Sequence, residues 1–130
     1  MQSGARMLHF VSSCLLVVGL LYQVFLAGLG VFDSAARFAF HRDFGYALSI
    51  VPLLLIIVGL IGRMGRRMAL LALVVGLLFV LQSVFVVMRT TSPEIAALHP
   101  VNGFVILLLT LVLARDSWLA RRGMSTSSTG

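Results

Sequence analysis

A chain of 130 residues that is 60% hydrophobic, with a mean hydropathy of +1.09, is excluded from the ordinary soluble domains, whose polar surface lowers both figures. The net charge of +6 does not mark a nucleic-acid surface, because every basic residue is an arginine and the arginines collect at the ends of apolar runs. A single cysteine, Cys14, excludes an internal disulfide.

Four apolar runs, each near the ~20 residues that cross a bilayer core, are read at roughly 7–30, 44–62, 68–88 and 98–114, the last continuing as helix to about 118. In the first, "VSSC" at 11–14 imitates a lipoprotein cleavage box, but too few apolar residues precede it, so the run reads as a retained helix. His9 is expected at the membrane interface, and Asp33 is expected to cap a short helical turn after the run. In the second run Pro52 predicts a kink. "HPVNG" at 99–103 opens the fourth, with His99 in the N-cap region and Pro100 at the first helical position, where a missing N–H matters least. Residues 1–122 thus form one helical domain, and 123–130, "GMSTSSTG", are expected to be a disordered tail.

Arg6, Arg63, Arg66, Arg67, Arg115, Arg121 and Arg122 lie at one end of the helices, and Arg37, Arg42 and Arg89 at the other. By the positive-inside bias, the first group and both termini are cytoplasmic. The expected location is a bacterial inner membrane.

"HRDFG" at 41–45 and "HPVNG" at 99–103 share H-x-x-x-G, and each follows a helix with one glutamine in an apolar context, Gln23 or Gln82. The Gln-to-His separation is 18 residues in one half and 17 in the other. Such a repeat predicts an all-α up-down bundle built from two tandem helical hairpins. His41 and His99 then face each other from diagonal helices near the outer end. Two imidazoles so placed suit the axial positions of one haem iron. Gly45 and Gly103, one turn below, would leave room beside the rings. Gln23 and Gln82 would be second-sphere donors, and Arg37 and Arg42, with Arg89, would meet propionates. The blander reading makes the histidines interfacial, the glycines and glutamines helix-packing groups, and the arginines snorkelling side chains. No acid lies within the runs, which disfavours an ion or proton carrier, and no nucleophile–base pair or phosphate loop suggests a hydrolase.

The stretches "YQVFLAGLGVF…HRDFGYAL" and "LQSVFVV…LHPVNGFVIL" resemble the repeating unit of haem A synthases and, more loosely, four-helix membrane b-type cytochromes. The resemblance implies that His41 and His99 are the axial pair of a b-type haem. It departs from the enzymes in helix number, one bundle where they have two. It departs again where a catalytic glutamate precedes a ligand histidine by three residues: Phe38 and Ala96 stand there, and Glu94 is at the wrong offset. Haem A synthesis is therefore not expected. The whole chain also resembles small uncharacterised four-helix membrane proteins of GC-rich bacteria, a likeness that implies no function. The expected function is a haem-binding membrane protein passing single electrons, with a quinone or a membrane subunit as partner and a homodimer permitted. The alternative is a cofactor-free accessory protein that binds partner helices.

Overall fold

The computed structural model describes residues 1–125, and all regular structure among them is helical. Helix α1 (Gln2–Phe32) runs unbroken because its apolar stretch holds no proline, and it ends at Asp33, whose N–H donates to the Leu29 carbonyl. The second crossing is made in pieces: a 3₁₀ turn (Ala35–Arg37), α2 (Phe38–Leu48) and α3 (Val51–Ile61). Pro52 explains the break. It has no N–H for the Leu48 carbonyl four residues back, and its ring crowds that carbonyl, so α2 stops at Leu48 and Pro52 enters the first turn of α3. The helix begins earlier than residue 44, which places His41 inside α2 and not before it. Asp33 does not cap the 3₁₀ turn; Ser34 precedes that turn, and Asp33 pairs with Arg37.

The chain reverses through Gly62–Gly65, where Arg63 (φ 48°) and Gly65 (φ 86°) are left-handed. Then come α4 (Arg66–Val87), a 3₁₀ turn (Met88–Thr90), a one-turn α5 (Pro93–Ala96) and α6 (Leu98–Ser125). Because α6 starts at Leu98, His99 and Pro100 lie within its first turn, two positions further in than the N-cap position expected for His99. The proline is still tolerated there, since the first N–H groups of a helix lack intrahelical partners. Residues 123–125 of the expected tail belong to α6, and the remainder of that tail lies outside the described residues.

Four stretches, Gln2–Phe32, Ala35–Ile61, Arg66–Thr90 and Pro93–Arg122, are long and apolar enough to cross a membrane. Helix α1 packs on α6, α6 on α4, α4 on α3 and α3 on α1, closing a ring. Helix α2 packs chiefly on α1, so the ring is looser at the end where His41 lies. The core is a thin column including Leu16, Leu55, Val75, Ile106 and Leu113. Leu15, Val18, Phe25, Leu77 and Leu108 point outward and are exposed. Helices apolar on every side need an apolar surround as well as an apolar core.

Candidate functional site

At one end of the bundle, α1, α2, α4 and α6 bring six polar or small residues together in two similar clusters. In the first, the Gln23 carbonyl accepts a hydrogen bond from His41 Nδ1–H at 3.0 Å. In the second, the Gln82 carbonyl accepts from His99 Nδ1–H at 3.3 Å. A helical carbonyl has a second lone pair to offer, and it can only accept, so both imidazoles carry their proton on Nδ1. In the neutral ring Nε2 is then a lone pair, the form in which imidazole binds a metal. The two rings lie 6.0 Å apart between centroids with planes at 63°. Two metal–nitrogen bonds of about 2 Å, plus the distance from each nitrogen to its ring centre, separate axial imidazoles by about 6 Å. The centroid separation is of the size that two axial imidazoles on one metal would show.

The glycines do something the sequence did not indicate. A Cβ built on Gly45 would stand 2.5 Å from Gln23 Nε2, and one on Gly103 3.4 Å from Gln82 Nε2. The Gln23 amide fills the space beside Gly45 and the Gln82 amide lies close beside Gly103, so the two glycines do not open an empty slot next to the rings. Each Gln–His–Gly set therefore ties one helix to the next. Arg37 and Arg42 are exposed and already bound to carboxylates, Arg37 to Asp33 at 2.8 Å and Arg42 to Asp43 at 2.7 Å. A propionate would have to compete with those aspartates. Phe38 stands edge-on to His41, ring centres 6.5 Å apart.

Asn102 was legible as a letter of "HPVNG" but not as a participant. Its Nδ2 donates to the Leu78 carbonyl at 2.9 Å and to Gln82 Oε1 at 2.8 Å, and it is buried. A lone amide three residues after a helix-opening histidine was the available signal.

His9 is placed otherwise than expected. It is not interfacial but fully buried at the opposite end of the bundle. The partner missing from the third helix is on the fourth: His9 Nδ1 lies 2.8 Å from Ser117 Oγ and 3.5 Å from Ser13 Oγ. Both hydroxyl protons are committed, Ser117 to the Leu113 carbonyl and Ser13 to the His9 carbonyl. Nδ1 must therefore be the donor, which leaves His9 Nε2 buried with no partner, against α3 at Gly59. Among the described residues no group of three or more His, Cys, Asp or Glu side chains could hold a metal ion by itself. A metal at His41 and His99 would need most of its ligands from elsewhere, as the four nitrogens of a porphyrin supply.

A family model described as a family of unknown function (DUF6220) matches residues 23–90. That span runs from Gln23 through His41, Gly45 and Gln82 and ends before His99. No curated protein and no solved structure matches the chain.

Proposed function

The chain belongs to the DUF6220 family of unknown function, and we propose that it is a four-helix integral membrane protein that holds one b-type haem between His41 and His99 and passes single electrons. The reading rests on one observation above the others: both rings donate through Nδ1 to main-chain carbonyls, so each neutral imidazole would keep an Nε2 lone pair for a metal, on rings 6.0 Å apart. Haem iron bound by two imidazoles shuttles between ferrous and ferric states. The protein's part is to fix the tautomer and aim of each ring through the Gln23 and Gln82 carbonyls. The looser packing of α2 gives the macrocycle its way in, and Arg37 and Arg42 stand near enough in sequence to His41 to meet its acid groups. The fold in this reading is an up-down bundle of two tandem hairpins, inserted in a bacterial inner membrane with both termini cytoplasmic. A quinone or a second membrane subunit supplies or removes the electron, and a homodimer would rebuild an eight-helix assembly.

A second reading is favoured by the glutamine amides that occupy the space beside Gly45 and Gly103. In it the Gln–His–Gly sets only staple helices together, and the protein is a cofactor-free accessory that binds partner helices. A reduced-minus-oxidised absorption spectrum of the purified protein, expressed with ample haem, separates the two. The first reading expects sharp low-spin b-type bands at about one haem per chain, lost in both His41→Ala and His99→Ala while helicity is kept. A folded, colourless protein that also fails to take up added haemin would discard it in favour of the second.

A further inference from the structure

The other end of the molecule carries a different kind of surface. A groove of about 470 Å³ lies along the α3–α4 seam, with Leu60 and Ala69 in its walls and Arg63 and Arg66 on its border. A second groove of about 380 Å³ adjoins it, lined by Leu70 and Val74 and sharing Arg66. Leu70 and Val74 follow Arg66 by one and two helical turns, on the same face of α4. Among the described residues Asp116 is taken by Arg67 and Arg115, whereas neither Arg63 nor Arg66 has a carboxylate partner. Arg63 also holds a left-handed conformation, φ 48°, which glycine adopts at less cost.

We propose that this seam binds an anionic phospholipid, its phosphate between Arg63 and Arg66 and one acyl chain along each groove. Guanidinium matches phosphate oxygens in a planar, two-point fit. Basic pockets at the ends of membrane helices are suited to acidic head groups. The apolar walls that run away from Arg66 distinguish a lipid from a soluble phosphate, which would gain nothing from Leu70 or Val74. The two grooves meeting at one arginine suit a molecule with one head and two tails. The inference requires the helices to lie in a bilayer, as proposed above, but does not require haem.

Native mass spectrometry of the full-length protein in mild detergent, with equal amounts of phosphatidylglycerol and phosphatidylcholine of the same chains, tests it. Phosphatidylglycerol should be retained one per chain with a preference of about tenfold or more. The preference should vanish in Arg63→Gln/Arg66→Gln and persist in Arg121→Gln/Arg122→Gln, which removes the same charge from the end of α6. Arg63→Gly relieves the backbone strain, so it should fold at least as well as the parent and still lose most of the preference. Excess glycerol 3-phosphate should not displace the lipid. Equal retention of the two lipids by the parent, equal loss in the Arg121/Arg122 control, or displacement by glycerol 3-phosphate would each overturn the proposal. Release of the protein from membranes by an alkaline carbonate wash would instead count against membrane insertion itself.

Discussion

The two Gln–His–Gly clusters share a main-chain pattern and differ in how their side chains are satisfied. Around His99, Gln82 Oε1 accepts from Asn102, and Asn102 also donates to the Leu78 carbonyl. Around His41 the residue three positions on is Phe44, which packs edge-on against Tyr22 with ring centres 5.2 Å apart. Phe44 can donate nothing to the glutamine, and Gln23 Oε1 is buried without a partner. The second cluster is closed by hydrogen bonds, whereas the first is held by one histidine bond and aromatic packing. The same sequence pattern has produced one rigid half-site and one with a polar atom to spare. The spare one sits on the helix pair where packing is loosest, so α2 is the element expected to adjust when anything enters between the rings.

Substitutions that exploit this difference rank clearly. Asn102→Leu should be the most damaging, because it removes two donated bonds and leaves the Gln82 carbonyl oxygen of the side chain unpaired in the core. A loss of about 2 kcal/mol is expected, measured by denaturant titration in mixed micelles. Gln82→Leu should cost about 1 kcal/mol, and Gln23→Leu should stay within about 0.5 kcal/mol because its Oε1 has no bond to lose. Equal costs for the two glutamines would show that the halves are energetically alike and the comparison mistaken. Gly103→Ala and Gly45→Ala give the finest distinction. Alanine gains up to about 1 kcal/mol of helix propensity over glycine. At Gly103 the new methyl meets Gln82 Nε2 at an ordinary 3.4 Å, so the gain should be realised. At Gly45 the methyl would stand 2.5 Å from Gln23 Nε2, and displacing that amide should cancel it. Adding Gln23→Ala to Gly45→Ala should restore the gain, with thermal melting in detergent as the readout.

How much of this could be read from the residues alone depends on the range of each contact. The four long helices were legible because unbroken apolar runs of that length have few other outcomes. The break near Pro52 was legible because proline affects its own turn, but the donation expected from the Gln23 and Gln82 side chains is not what forms: their main-chain carbonyls accept from His41 and His99 instead. Asn102 was missed because nothing in one sequence says which of several amides will meet in space. His9 was misplaced for a more general reason. Its partner Ser117 is 108 residues away, on a helix whose rotation about its own axis is fixed only by packing. Residues 98–118 look equally apolar on several faces, so no periodic signal announces that Ser117 turns inward. The filling of Gly45 and Gly103 was likewise invisible, since a glycine says that space is needed and not what will take it.

The buried link between His9 and Ser117 bears on how the protein is made. Arg6 reinforces it from the same end, donating to the carbonyls of Gly62 at 2.9 Å and Ala120 at 3.3 Å, so the earliest helix is fastened to the latest. During synthesis α1 is made long before α6. Until α6 is made, the His9 ring lacks Ser117 and Arg6 has only the Gly62 carbonyl of its two main-chain acceptors. A chain interrupted before Ser117 leaves the His9 imidazole without its α6 partner, the kind of local defect that cellular quality control acts on. The arrival of α6 is thereby recorded in α1.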